Sequence, residues 1–351
     1  MIRKLLIVGG MLLAAMVLAG PPPAAAAESA GGAGPAGAVD ELLLEWRDAA
    51  RQRTLPVKCY LPVLRPGAAA PPVILFSHGL GGSRTGYSYL GRYWAEHGLA
   101  VVHLQHPGSD ETVWRGKGPA VMENLRGAVN LKQSVERLKD VAFAVAELQR
   151  LARKEGRFHG RLDPERIGMA GHSFGANTTL WTAAVAGGFP VPGVPVLPEI
   201  KAAVLLSPSP AGLDAVYPRI RIPCLHLTGT EDHSPIRDMT LAQRREPFER
   251  ITGVPEYLVV FTGGDHLVFS DRNGPRAGWG QGKNRALDAR LQPVIQQATL
   301  AFWQAFLQGN RPARNWLDGQ GKATLAECLG PLGELKRKTP GPGAGPRTGG
   351  R

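Results

Sequence analysis

Three short stretches carry residue types that could work together on a carbonyl group. In MAGHSFGAN, Ser173 lies between Gly171 and Gly175. In LTGTED, Asp232 comes just after an apolar run, and in FTGGDH, His266 comes just after another. A serine hydroxyl is a weak nucleophile at neutral pH and needs a base. A histidine can be that base, and a carboxylate can orient it. The order Ser, acid, His is the one used when the serine sits on a sharp turn between a strand and a helix. The spacing therefore predicts nucleophilic attack by Ser173, with His266 as general base and then acid. Asp232 is expected to orient His266. Glu231 is its rival for that role, and His233 is an alternative base. Asp265, adjacent to His266, is expected to point elsewhere.

Such chemistry passes through a tetrahedral oxyanion that needs amide donors. The Phe174 N–H, at the start of the following helix, is expected to be one. The second is expected from the glycine-rich loop His78-Gly79-Leu80-Gly81-Gly82, through the N–H of Leu80. That loop lacks the Gly-Lys-Ser/Thr ending of a phosphate-binding loop.

The other histidines have plainer expected roles. His97 should end a helix, His172 should pack beside the turn, and His78 should shape the glycine loop. His103 and His106 should point to opposite faces and make a poor metal pair. His226 reads as a satisfied core residue and His159 as loop. Trp94, Trp181 and Trp303 read as core. Trp114, in a polar loop, is the tryptophan that stands out as a candidate for substrate contact.

These groups must be held by a scaffold, and the chain alternates strand and helix patterns. Glu41 to Arg47 and Thr54 to Pro62 read as a strand pair joined by Arg51-Gln52-Arg53. Val73–Phe76, Ala100–Leu104, Arg166–Ala170, Ala202–Leu206, Cys224–Leu227 and Tyr257–Phe261 are short apolar runs that suit strands covered on both faces. Tyr87–His97, Leu131–Arg153, Asn177–Ala186 and Ala286–Leu307 have helical apolar spacing. The pattern predicts an α/β fold with a mainly parallel sheet, helices on both faces and an antiparallel strand pair at its start. Segments 112–130 and 187–198 are expected to be loops that wall the pocket.

The ends differ from the body. Residues 1–27 read as a signal peptide: Arg3 and Lys4, an apolar run from Leu5 to Gly20, then Ala25-Ala26-Ala27. This predicts export, to the periplasm or beyond. Residues 28–38 read as a flexible linker, 39–335 as the folded domain and 336–351 as a disordered basic tail. The formal net charge is +12, of which Arg3, Lys4, Lys336, Arg337, Lys338, Arg347 and Arg351 carry seven. A basic tail suits weak contact with anionic surfaces. No nucleic-acid motif is present. The three cysteines, Cys59, Cys224 and Cys328, have no metal or redox spacing. An exported chain could join two of them, and the sequence leaves the pairing open. Cys224 reads as a small buried hydrophobe.

The stretch FSHGLGGSRTGYSYLGRYWAEHGLAVVHLQHPGSD, with GHSFGAN, TGTEDHSP and GGDH, resembles bacterial secreted α/β-hydrolases related to platelet-activating factor acetylhydrolase, often labelled predicted dienelactone hydrolases. The likeness runs from about Leu42 to Leu307. It implies the α/β-hydrolase fold and a catalytic triad of Ser173, Asp232 and His266. It also implies hydrolysis of a small-molecule or lipid carboxylic ester, with no metal or organic cofactor. Dienelactone hydrolases proper are similar in fold but use a cysteine where this chain has Ser173. Cutinase-like polyester hydrolases are a more distant resemblance. The alternatives are acyl transfer from the same acyl-enzyme, and a non-catalytic binding protein of the same fold.

Overall fold

The computed structural model describes residues 37–234, 239–271, 285–321 and 323–340. Among these, nine strands form one sheet: β1 (Val39–Asp48), β2 (Arg53–Pro62), β3 (Pro72–Ser77), β4 (Ala100–Leu104), β5 (Asp163–His172), β6 (Ile200–Leu206), β7 (Cys224–Glu231), β8 (Glu256–Asp265) and β9 (Gly333–Lys338). Their spatial order is β1-β2-β4-β3-β5-β6-β7-β8-β9. From β4 to β8 all neighbours are parallel, while β1–β2, β2–β4 and β8–β9 are antiparallel.

The central strands are continuous apolar runs because both their faces are covered. β3 and β4 are buried at every residue. Side chains alternate across a strand, so Val73 and Leu75 enter one core while Ile74 and Phe76 enter another. The helices are α1 (Ser88–Glu96), α2 (Pro119–Gly127), α3 (Leu131–Arg153), α4 (Phe174–Ala186), α5 (Leu241–Arg250), α6 (Arg285–Leu307), α7 (Arg311–Asp318) and α8 (Leu325–Leu329). Helices α1, α6, α7 and α8 share the core of Ile74, Phe76, Val204 and Val259. Helix α3 packs on the Val73 and Leu75 face, and α4 on Ala203 and Leu205. This is the doubly covered, mostly parallel sheet of the α/β-hydrolase fold. Trp94 and Trp303 are fully buried and meet edge to face, ring centroids 5.9 Å apart. Trp181, expected in the core, is only half-buried beside Phe189. Among the described residues, no helix is long and apolar enough to cross a membrane.

Three expectations are corrected here. Lys336, Arg337 and Lys338, expected to begin a disordered tail, complete the sheet edge as the end of β9. Leu335 pairs with Val259, and Lys338 Nζ donates to the carbonyl oxygens of Phe248 and Ile251. A charged edge strand hides from a hydrophobicity scan, and its charges discourage pairing with another chain. Segment 187–198 lies at the opposite end of the sheet from Ser173. It joins α4 to the start of β6, and Ile167 N–H donates to Glu199 O there, so it cannot wall the site. Finally, Cys59, Cys224 and Cys328 are all free thiols. The signal-peptide segment and residues 341–351 lie outside the described residues, as does the linker up to residue 36. The linker's last residue, Ala38, accepts a hydrogen bond from Val63 N–H (3.0 Å).

Candidate active site

The turn between β5 and α4 explains the spacing of its glycines. Ser173 has φ 55° and ψ −116°, a conformation costly for a residue with a side chain. It aims the hydroxyl away from both elements. A Cβ on Gly171 would lie 2.3 Å from Gly175 O, and one on Gly175 would lie 1.9 Å from Ser77 O. Both positions therefore exclude any other residue unless the backbone moves. Gly175→Ala should cost at least about 1–3 kcal/mol of stability by overpacking. A thermal melt checks this, and an unchanged Tm would contradict the contact.

The same device recurs at the neighbouring strand ends. A Cβ on Gly229 would lie 2.0 Å from Gly264 O. Glycine here lets the ends of β7 and β8 close up, which brings the loop of Asp232 against the loop of His266. His266 Nδ1 lies 2.7 Å from Asp232 Oδ1, and His266 Nε2 lies 3.0 Å from Ser173 Oγ. The other Asp232 oxygen accepts from Ser207 Oγ (2.5 Å) and Thr228 Oγ1 (2.7 Å). Arg244 sits 3.2 Å from Oδ1. Burial opposes ionisation of Asp232, but His266, Arg244 and Ser207 together hold its carboxyl well below the usual range. A carboxylate fixed on Nδ1 leaves Nε2 as the nitrogen free to take a proton from the hydroxyl.

Glu231 is exposed, and its carboxylate lies 3.7 Å from exposed His233. Neither joins the buried chain. Asp265 accepts from Leu267 N–H (2.9 Å), pointing back into its own turn.

Three amides of the glycine loop already have acceptors in the fold. Gly79 N–H donates to Tyr87 Oη, Gly81 N–H to Ser109 O and Gly82 N–H to Gly79 O. Leu80 N–H has no acceptor among the described hydrogen bonds. Phe174 N–H belongs to the first turn of α4, where amides lack intrahelical partners. The helix N-terminus also favours negative charge.

His172 ties the two sides together. Its Nε2 is 2.9 Å from His266 O, and its Nδ1 is 2.8 Å from Tyr87 Oη. A carbonyl only accepts, so Nε2 carries a proton and donates it to His266 O, while Nδ1 shares a hydrogen bond with the Tyr87 hydroxyl. His78 Nδ1 donates to Gly79 O, and its Nε2 accepts from His106 N–H. Trp114 lies in a 3-10 turn, Glu111–Trp114, and donates to Gly81 O (2.8 Å). With Leu80, Val113, Leu125, Phe174 and Met122 it forms an apolar cluster. Segment 112–130 is therefore partly helical, in α2, and packs beside the glycine loop. An open depression of about 780 Å³ on α2, lined by Pro119, Met122, Glu123, Arg126 and Gly127, holds none of Ser173, Asp232 or His266.

Behind the loop is a polar network that the sequence reading missed. Ser77 Oγ lies 2.8 Å from His106 Nε2, and His106 Nδ1 donates to Asp140 Oδ2 (3.0 Å). Arg53 grips Asp140 with two nitrogens and Arg51 with one, all within 2.9 Å. Burial opposes ionisation of Asp140, yet His106 and Arg53 hold its carboxyl at about 2. A carboxyl held lower in the fold than in the open chain stabilises the fold above the unfolded value of about 4. That contribution is lost as pH falls from about 4 to 2. The Tm of the wild type should therefore fall more steeply over this range than that of Asp140→Asn. Parallel curves would contradict the network.

One other cluster could suit a metal. Cys224, His226 and Glu256 are fully buried, with ligand atoms within 4.8 Å of one another. His226 Nε2 is already 2.6 Å from Glu256 Oε2. Burial pushes Glu256 well above its usual range and, with Lys338 nearby, His226 down to about 3. A sealed, charge-poor cluster beside an ammonium group fits a divalent cation badly. His226 is also not the satisfied core residue expected, because its Nδ1 has no partner.

A sheet of this topology with these three side chains at its carboxyl end defines an α/β-hydrolase. Residues 47–115 match the family described as Platelet-activating factor acetylhydrolase, isoform II, about a fifth of the chain. No curated protein matches. The family match supports a platelet-activating factor acetylhydrolase-like α/β-hydrolase family, and with it a carboxylic ester hydrolase acting on lipid esters. The matched segment holds the glycine loop and Trp114, and ends before Ser173, Asp232 and His266.

Proposed function

We propose that the chain is a serine carboxylic-ester hydrolase that works through an acyl-enzyme on Ser173. The observation that carries this reading is the unbroken chain Ser173 Oγ, His266 Nε2, His266 Nδ1 and Asp232 Oδ1, with separations of 3.0 and 2.7 Å. Ser173 Oγ attacks the ester carbonyl while its proton passes to His266 Nε2. The oxyanion is received by the N–H groups of Leu80 and Phe174. His266 then protonates the departing alcohol, and a water deprotonated by His266 releases the acid. Asp232 stays ionised throughout and holds the imidazolium.

The match to the platelet-activating factor acetylhydrolase family supports a lipid ester with a short acyl group, and the apolar cluster of Leu80, Val113, Trp114, Leu125 and Phe174 beside the glycine loop suits an apolar substrate. Export is supported by the basic and apolar pattern of residues 1–27. The test offers purified protein two phospholipids that differ only in one acyl chain, acetyl or palmitoyl, with and without an alcohol acceptor. The expected result is faster release of acetate, as free acid, even with the acceptor present. Faster palmitate release would overturn the short-acyl reading. Acyl ester of the acceptor as main product would make the chain an acyltransferase. No product from either lipid, nor from simple activated esters, would leave a binding protein.

A further inference from the structure

The two proposed oxyanion donors come from segments nearly a hundred residues apart, so something must fix their separation. Arg137 on α3 meets both. It is fully buried. Its Nε donates to Thr178 Oγ1 (3.0 Å), and one terminal nitrogen donates to Ser109 Oγ (2.9 Å). The other terminal nitrogen donates to Ser77 Oγ (3.1 Å) and to His78 O. The guanidinium carbon also lies 4.5 Å from the centroid of the Phe174 ring.

Each of these partners bears on a donor. Ser77 and His78 lead directly into Leu80. Ser109 holds Gly81 N–H on its carbonyl. Thr178 Oγ1 in turn donates to Phe174 O, at the start of α4 (3.0 Å). We infer that Arg137 is a positioning residue that sets the spacing between the Leu80 and Phe174 amides. This rests on the reading of Ser173 as an acyl-enzyme nucleophile.

The chemistry explains why arginine stands there. Burying a cation is costly unless its donors are matched. Here a planar fork spreads its donors over three chain segments at fixed angles. Lysine, a single point of charge, cannot span the same set. Oxyanion stabilisation needs donors within about 2.7–3.1 Å of where the charge develops. A shift of a few tenths of an ångström between the segments is therefore enough to weaken it.

The test compares wild type, Arg137→Lys and Arg137→Met in three measurements: ester kcat and KM, affinity for a trifluoromethyl ketone that forms a hemiketal oxyanion on Ser173, and Tm. The expected result for Arg137→Met is a loss of roughly 10²-fold in both kcat and ketone affinity. KM should stay within about threefold, because ground-state binding does not use the oxyanion donors. Arg137→Lys should recover part of each loss. Unchanged ketone affinity, or KM rising as much as kcat falls, would overturn the inference. If Arg137→Met does not fold, Thr178→Val breaks the link from Arg137 Nε through Thr178 Oγ1 to Phe174 O. It should weaken the ketone several-fold at unchanged KM, and equal affinity would overturn the proposal. If wild type itself forms no ketone adduct, the reading of Ser173 fails instead.

Discussion

Replacing Ser173 by alanine leaves a folded protein whose ester turnover is lower by roughly 10⁶-fold in kcat. The size follows from what is removed. The hydroxyl 3.0 Å from His266 Nε2 is the atom that would form the covalent bond. Without it the imidazole has only water to activate, held by no part of the site. The residual rate, roughly 10³-fold over water, would come from the oxyanion donors and substrate binding. The fold should survive, because alanine meets the same backbone strain at φ 55° that serine already bears. Ser173 N–H keeps its bond to Leu206 O (2.9 Å). The checks are hydrolysis of p-nitrophenyl acetate, labelling by a fluorophosphonate probe and Tm. Retained turnover and labelling with an unchanged Tm would remove Ser173 from the reaction.

Asp232→Asn is expected to lower kcat by roughly 10⁴-fold while KM changes little. Ser207 and Thr228 both donate to one oxygen of Asp232, which fixes the group's rotation. In asparagine that oxygen remains the acceptor, so the amide NH₂ is turned toward His266 Nδ1. The imidazole must then accept on Nδ1 and carry its proton on Nε2, facing Ser173. The base is lost although the geometry is kept. Arg244 would also lose its anionic partner, so some loss of Tm should accompany the loss of rate. Glu231→Gln is the contrast. Glu231 is exposed and outside the buried chain, so its change should stay within about twofold. If Glu231→Gln proved the more damaging of the two, the acid would have been assigned to the wrong residue.

The order Ser173, Asp232, His266 was legible because each residue comes just after an apolar run, and the carboxyl ends of parallel strands gather at one edge. The glycines of the Ser173 turn were legible too, though the matching approach of Gly229 and Gly264 was not. A close contact between residues 35 apart leaves no local pattern. For the same reason the contacts that join Arg51, Arg53, His106, Arg137 and Asp140 went unread. Arg137 and Asp140 interrupt an amphipathic helix whose apolar face was clear, and charges on such a helix ordinarily face solvent. Only the fold reveals that these two point inward. Ser207 and Thr228 could have been noticed by position, since Ser207 follows β6, beside the strand that leads into Ser173, and Thr228 lies on β7 four residues before Asp232. The final strand was hidden by its own charges, Lys336, Arg337 and Lys338.

The most direct test of the central claim is to trap the acyl-enzyme. Wild-type protein turning over p-nitrophenyl acetate is quenched in acid within milliseconds, digested, and its peptides weighed and fragmented. The expected result is one acetyl group, on Ser173, that forms as nitrophenolate is released and disappears when substrate is spent. Acetyl on another residue, or full turnover with Ser173 never modified, would contradict it.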